Sequence, residues 1–179
     1  RNILAAEAAA GVKHHVALSV VGADSFPDSG YMRAKVAQEK LIKASGVPYT
    51  ILRATQFFEF LNPIAGSGAD TVRLPSAPMQ PLAADDVAAA LADVAMGSPA
   101  NGVLEVAGPE SLSIAAFVGK ALAASGDKRT VVADPQARYY GAALDDLGLK
   151  ARNPNPRIGP TRRRGGMKEE SVVSVALAS

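Results

Sequence analysis

The sequence contains no cysteine and no tryptophan, and aromatic residues make up only 5% of its 179 residues. Without thiols, the chain can form neither disulfides nor thiolate metal sites. No apolar run reaches the roughly 18 residues that a membrane-spanning helix needs, so we expect no membrane association. The first residues are typical of an amphipathic helix rather than a signal peptide, and we therefore expect a cytoplasmic protein.

Charge and histidine content exclude two further kinds of site. The formal net charge is +2, and its excess is local to the arginine run at 162–164 together with Lys168. A local run of this kind is typical of solvated charge and predicts no nucleic-acid partner. His14 and His15 have no further ligands at metal spacing, whereas a zinc site needs three or four. We therefore predict no bound metal.

The pattern that is present is an alternation of strands and helices. The nearly continuous apolar run at 15–21 is typical of a strand buried on both faces of a parallel sheet. Strands that alternate with helices of this length predict βα units in an α/β fold. Beyond that strand and a helix at 1–10, the spacing predicts helices at 30–45, 84–96, 113–124 and 137–147, and strands at 48–53, 102–107 and 130–132.

Both ends of this pattern can be placed on the sequence. From about Ala151 proline, asparagine, glycine and arginine dominate, and the pattern stops. We assign residues 1–162 to one partial domain and residues 163–179 to a disordered or unrelated tail.

Asp85 and Asp86, at the start of a predicted helix, are adjacent and point apart, so we interpret them as an N-terminal cap rather than a catalytic pair.

Ser19, Tyr31 and Lys35 are the candidate catalytic residues. Tyr31 and Lys35 lie four apart on one predicted helix, so their side chains share a face. An ammonium beside a phenol favours the phenolate, which makes a tyrosine usable as an acid or base. Ser19 is near the carboxyl end of a strand, where ligands of open α/β sheets bind. The spacing alone is more typical of a solvated surface pair; the preceding strand, serine and loop favour a site.

Several segments together resemble a known family, and they span nearly all of residues 2–162. They resemble the NmrA-like, NAD(P)H-binding branch of the atypical short-chain dehydrogenases/reductases. The resemblance is carried by Asn2-Ile-Leu-Ala-Ala, Gly30-Tyr-Met-Arg-Ala-Lys35, Ser45-Gly-Val-Pro-Tyr-Thr-Ile-Leu-Arg53, Asp85-Asp-Val-Ala88 and Gly102-Val-Leu-Glu-Val-Ala-Gly-Pro-Glu110.

The resemblance implies the C-terminal part of a Rossmann-like, doubly wound parallel sheet that uses NADP or NAD. It implies that Ser19, Tyr31 and Lys35 form the catalytic set, and that Lys35 also contacts the nicotinamide ribose. The nicotinamide end of the cofactor would be contacted by Ala54, Thr55, Gln56 and Phe57.

The implied function is hydride transfer between a nicotinamide and the carbonyl or quinone of a small-molecule substrate, with Tyr31 as proton donor. The alternatives are a non-catalytic NAD(P)-binding redox sensor and an inactive truncated product.

The front of the sequence departs from the family. Its members begin with a strand and a G-x-x-G-x-x-G turn whose backbone amides receive the pyrophosphate, and no such turn is present here. We expect this first βα unit to lie upstream of Arg1, and we expect this chain alone to bind NADP or NAD weakly or not at all. We also expect the strand at 16–20 to keep an exposed edge that promotes self-association.

Overall fold

The computed structural model describes residues 2–67 and 70–162, so the predicted tail at 163–179 lies outside the described residues. Its helices are α1 (Asn2–Ala10), α2 (Gly30–Lys43), α3 (Leu61–Ile64), α4 (Ala84–Met96) and α5 (Ile114–Ala124). Its strands are β1 (His15–Val20), β2 (Tyr49–Ala54), β3 (Thr71–Leu74), β4 (Pro78–Met79), β5 (Gly102–Ala107), β6 (Leu112–Ser113), β7 (Thr130–Ala133) and β8 (Arg157–Ile158).

The main sheet has four strands in the order β1-β2-β5-β8, and every neighbouring pair is parallel. Helices cover both of its faces. On one face Ile51 of β2 packs with Ile42 of α2, and on the other Leu52 packs with Val87 of α4. Because β2 is buried on both sides, apolar Ile51 and Leu52 follow one another on opposite faces instead of alternating with polar residues. The predicted α/β architecture is confirmed for this sheet.

A second apolar core lies around α5 and reaches Val20 at the end of β1. Val118 and Ile114 of this helix are fully buried with Leu61 of α3 and Met79 of β4. Two small sheets pack there: β3 pairs with β7 in parallel, and β4 pairs with β6 antiparallel. Ser113 caps α5 by accepting a hydrogen bond from the Ala116 amide at 3.1 Å.

The helix predicted at 137–147 is wrong. The chain there is a turn closed by a bridge between Tyr139 and Ala142, followed by irregular structure. Tyr140 has a φ of 46°, Gly141 of 83° and Gly148 of 53°. Left-handed residues such as these cannot continue the right-handed helix that the spacing predicts.

The strand–helix pattern stops near Ala151 in the sequence, but residues 151–162, which the sequence analysis assigns to the domain, still contribute a short strand. Residues 151–162 return to the main sheet as β8, and the Glu105 carboxylate accepts hydrogen bonds from the backbone amides of Arg152 and Asn153. Buried Asp86 does not cap α4; it accepts hydrogen bonds from the backbone and hydroxyl of Thr161 at 3.0 and 2.9 Å. Long-range side-chain contacts, which local composition does not encode, hold this segment.

Gly108, just after β5, marks a close approach of two backbones. A Cβ on this residue would lie 1.7 Å from the carbonyl oxygen of Pro81. We expect Gly108→Ala to lower the free energy of unfolding by about 3 kcal/mol, because the two segments would have to separate. Gly102→Ala, at the start of the same strand, would meet no atom closer than 3.6 Å and is the matched control. Denaturant unfolding measures both; equal stability of the two variants would contradict this packing.

β1 is an edge strand, as predicted. The His15 amide donates to the Pro48 carbonyl just before β2, and the Val21 amide donates to the Ala54 carbonyl at its end. The alternate residues of β1 at 16, 18 and 20 therefore turn their backbone groups away from β2. On that edge the Lys35 side chain donates a hydrogen bond from Nζ to the Leu18 carbonyl at 3.1 Å.

An exposed apolar edge of this kind promotes pairing between copies. We expect light scattering to give dimers or larger species, and we expect Val16→Pro, which removes an outward amide, to shift the population toward monomer. A chain that is monomeric at high concentration before any substitution would contradict the expectation.

Candidate functional site

A cavity of about 680 Å³ opens at the carboxyl ends of β1 and β2. Ligands of open parallel sheets bind at this end. All of the site residues predicted from the sequence line it: Ser19, Tyr31, Lys35, Ala54, Thr55, Gln56 and Phe57. The structure therefore brings both predicted groups together, while the role of each residue stays a prediction.

The first turns of α2 place Tyr31 and Lys35. Ser29 caps the helix by accepting a hydrogen bond from the Met32 amide at 3.4 Å, and Met32 is buried beneath it. Lys35 Nζ lies 6.0 Å from the centroid of the Tyr31 ring and is tethered to β1 through the Leu18 carbonyl. Tyr31 is 60% exposed at the mouth of the cavity. This arrangement gives a solvent-accessible phenol beside a fixed cation.

Ser19 is held differently from the other two residues. Its hydroxyl donates a hydrogen bond of 2.6 Å to Glu39 Oε1, and its side chain is buried. A serine hydroxyl carries a single hydrogen, so this bond leaves it able only to accept. In this structure Ser19 therefore has no hydrogen to offer a substrate carbonyl, which the predicted catalytic role would require.

Beneath Ser19 lies a buried ion pair that the sequence analysis missed. Arg53 donates to Glu39 through Nε at 2.9 Å and through a terminal nitrogen at 2.8 Å, and a second nitrogen reaches Asp24 at 3.2 Å. Burial alone would raise the pKa of Glu39, but the hydrogen bonds from Arg53 and Ser19 hold that pKa below its usual value. The hydrogen bond to Glu39 likewise raises the pKa of Arg53. The pair is therefore charged and ties α2 to β2.

The segment after β2 is fixed by its backbone. The Leu82 amide donates to the Gln56 carbonyl at 2.9 Å, and the Phe58 amide donates to the Leu82 carbonyl at 3.0 Å. Thr55 Oγ1 donates to the Gln80 carbonyl at 2.6 Å. These bonds hold Gln56 and Phe57 in the cavity wall.

The cavity concentrates aromatic side chains. The sequence has five phenylalanines and four tyrosines, and six of these nine line the cavity: Phe26, Tyr31, Phe57, Phe60, Tyr139 and Tyr140. The rings of Phe57 and Phe60 stack at 5.9 Å, and those of Tyr139 and Tyr140 meet edge to face at 4.8 Å. Such walls suit a flat, apolar ligand.

Tyr139 and Tyr140 were not predicted as site residues. They lie in the segment that the sequence suggested was helical, and the adjacent tyrosine pair itself was the one available signal. Tyr139 donates a hydrogen bond to Gln56 Oε1 at 3.2 Å. Burial, followed by the nearby Tyr140 and Tyr31 phenols, raises the pKa of Tyr139. Its hydroxyl therefore remains a donor over the physiological pH range.

The residues present fit one half of a nicotinamide dinucleotide. Lys35 and Gln56 place polar donors in a largely aromatic cavity, which suits an uncharged ring and its ribose. Among residues 2–67 and 70–162, no glycine-rich turn leads from a strand into a long helix. Gly22 follows β1 but opens a three-residue 3₁₀ helix, and Gly108 packs against Pro81. The pyrophosphate half therefore finds no cradle in the part that the structure describes.

The histidines are engaged in structural hydrogen bonds. His14 Nε2 lies 2.8 Å from the Thr50 hydroxyl, and His15 Nδ1 lies 2.8 Å from the Glu7 carboxylate. Within the described ranges, no group of three or more histidine or acidic side chains could hold a metal ion. In the same ranges, no helix has the length and apolar character to span a membrane.

Solved structures similar to this one include two reductases and an epimerase whose names or complexes specify a nicotinamide cofactor. An NADPH-dependent quinone oxidoreductase from Escherichia coli is 25% identical with a TM-score of 0.60, over 74% of this chain and 50% of that one. Triphenylmethane reductase from Citrobacter sp., complexed with NADP(H), is 19% identical with a TM-score of 0.56, over 74% and 48%. UDP-glucose 4-epimerase from Thermus thermophilus, with NAD, is 18% identical with a TM-score of 0.59, over 83% and 60%.

These likenesses define the fold as α/β with a Rossmann-like parallel sheet. The chain spans about half the length of the first two of these structures. A comparison with curated proteins found no significant match. The sequence profile described as NAD(P)H-binding matches residues 1–97, more than half of the chain. The resemblance proposed from the sequence is thereby confirmed: this chain belongs to the NAD(P)H-binding family of atypical short-chain dehydrogenases/reductases.

Proposed function

We propose that this chain forms the nicotinamide-binding and substrate-binding part of an NAD(P)H-dependent reductase that acts on the carbonyl or quinone of a small molecule. The observation that carries the proposal is the convergence of Tyr31, Lys35 and the segment after β2 on one aromatic-lined cavity. The similarity to an NADPH-dependent quinone oxidoreductase at 25% identity supports the same class of reaction.

In this proposal bound NAD(P)H supplies a hydride, and the residues of this chain orient the substrate and deliver a proton. Tyr31 holds that proton on its exposed hydroxyl and gives it to the substrate oxygen, which becomes an alcohol or hydroquinone. Lys35, which donates a hydrogen bond to the Leu18 carbonyl, would bind the nicotinamide ribose. The aromatic walls would give the substrate ring an apolar surface to pack against.

The pyrophosphate would be bound by a glycine-rich first βα unit that is not part of this sequence. Two observations support this: the outward edge of β1 and the half-length coverage of the relatives. Several charge-assisted hydrogen bonds to phosphate, worth about 1.5–3 kcal/mol each, would then be missing from this chain. A micromolar affinity for NADPH would fall to about millimolar or weaker.

A second candidate function is a non-catalytic NAD(P)H sensor. One observation favours it: the Ser19 hydroxyl hydrogen is committed to Glu39 and is not available to a substrate carbonyl. In a sensor the same cavity would bind the nicotinamide without turnover, and cofactor occupancy would control a partner.

One experiment separates the two functions. A longer form of the protein that includes the glycine-rich unit is mixed with NADPH. A quinone or an aromatic aldehyde is then added as acceptor, and the rate of NADPH oxidation is measured. The reductase proposal predicts oxidation that depends on the acceptor. Saturable NADPH binding with no oxidation across a panel of acceptors would support the sensor instead.

A further inference from the structure

Gln56 carries a polar group that the fold leaves unused. Its side chain lines the cavity, and its buried Nε2 has no hydrogen-bond partner among the described residues. A buried donor without a partner is destabilising, and such atoms are rare in folded proteins. The simplest explanation of an unused donor in the wall of a ligand-sized cavity is that an acceptor atom of a bound ligand takes its hydrogen bond.

The other end of this amide is anchored. Gln56 Oε1 accepts a hydrogen bond from the Tyr139 hydroxyl at 3.2 Å, and the Gln56 backbone carbonyl is bonded to Leu82. Because burial raises the pKa of Tyr139, its hydroxyl stays protonated and continues to donate. Donation to Oε1 fixes which way the amide is turned, so its NH₂ group is kept for a second partner.

The surrounding walls define the shape of that partner. Phe57 and Phe60 stack in one part of the wall, and Tyr139 and Tyr140 form an edge-to-face pair in another. Phe60 and Tyr140 are 54% and 69% exposed, so a ligand that covers them removes apolar surface from water. A flat aromatic molecule with a hydrogen-bond acceptor satisfies both the walls and the amide.

We propose that Gln56 is a specificity-determining residue that donates a hydrogen bond from Nε2 to a carbonyl oxygen of a planar aromatic substrate, and that Tyr139 is the positioning residue that orients its amide. The inference rests on the proposed function for the class of substrate. It predicts that this cavity distinguishes flat aromatic ligands by the oxygen they carry.

The test uses two bicyclic aromatic probes and measures their dissociation constants by titrating the backbone amide NMR shifts of the chain. Menadione carries quinone oxygens, whereas indole has no oxygen. Because the chain has no cysteine, menadione has no thiol to alkylate. Gln56→Met should weaken menadione binding by about fivefold, the value of one neutral hydrogen bond, and change indole binding by less than about twofold.

Two further variants keep the test decisive. Gln56→Glu keeps the shape of the side chain but presents an acceptor, so it should weaken menadione binding more than Gln56→Met does. Tyr139→Phe should weaken menadione binding by about two- to threefold and spare indole, because the amide loses its orientation. Gln136→Met, on an exposed residue outside the cavity wall, is the matched control and should change neither constant.

Equal losses for both probes would show that Gln56 only shapes the cavity, and unchanged menadione binding would show that its amide is not used. Either result overturns the inference. In a longer form that binds NADPH, Gln56→Met should weaken NADPH binding by a smaller factor than it weakens menadione binding; a larger loss for NADPH would assign the amide to the nicotinamide instead. Neither probe titration involves turnover, so the two proposals can fail separately. If Gln56 distinguishes menadione from indole but the protein has no reductase activity, the proposed function is refuted and the role of Gln56 is not.

Discussion

Arg53→Met is expected to lower the free energy of unfolding by about 3–5 kcal/mol. The substitution keeps much of the side-chain volume but leaves the Glu39 carboxylate buried without its main partner, and Glu39 is only 3% exposed. Removing one member of a buried pair costs more than the pair contributes, because the remaining charge is not solvated. Denaturant unfolding at neutral pH measures the change.

The double variant Glu39→Leu with Arg53→Met is the control. It removes both charges and should recover most of the lost stability, since an apolar pair of similar volume often replaces a buried ion pair without loss. A double variant no more stable than Arg53→Met would show that the contribution of Arg53 does not depend on Glu39.

The same pair gives a pH dependence whose sign follows from Glu39. Its folded-state pKa lies below the ordinary value of 4.5. Its contribution to stability is therefore complete above pH 4.5 and is lost as the pH falls below that value. The double variant should show a shallower loss of stability on acidification than the unsubstituted chain.

Tyr31→Phe is expected to reduce turnover by about a hundred- to ten-thousandfold in a longer form that binds NADPH, because it removes the proposed proton donor. NADPH affinity should change by less than about twofold, since the ring that faces Lys35 is retained. Single-turnover oxidation of NADPH and equilibrium titration measure the two quantities separately.

Tyr140→Phe is the matched control for that experiment. It removes a second exposed hydroxyl from the same cavity and should leave the rate of the chemical step nearly unchanged. Retained turnover in Tyr31→Phe would refute its role as proton donor. A parallel loss of NADPH affinity would make Tyr31 a structural or binding residue.

The sheet and its helices could be predicted because their signals are local. Buried strands such as β1 and β2 are short apolar runs, and α4 spans the predicted residues 84–96. The predicted site residues come together because the carboxyl ends of neighbouring parallel strands meet at one edge. Family resemblance added the identity of the cofactor, which periodicity alone does not provide.

What could not be predicted depends on contacts between distant residues. β8 forms because Glu105 and Asp86 accept hydrogen bonds from a segment about fifty to seventy-five residues away, and its own composition is that of a loop. Glu39 and Arg53 read as ordinary charges on a helix and a strand until the fold buries both. Tyr139 reaches the cavity only because the chain turns at Tyr140 and Gly141, where composition favoured a helix.

The central claim is that this chain holds the nicotinamide and substrate end of the site but not the pyrophosphate. The most direct test is a titration of the chain with NADPH in which the NMR shifts of the backbone amides report binding. The account predicts weak binding, with a dissociation constant of about millimolar or higher, and shifts confined to Lys35, residues 54–57 and their neighbours in the cavity wall. Saturable micromolar binding, or shifts concentrated away from this cavity, would contradict it.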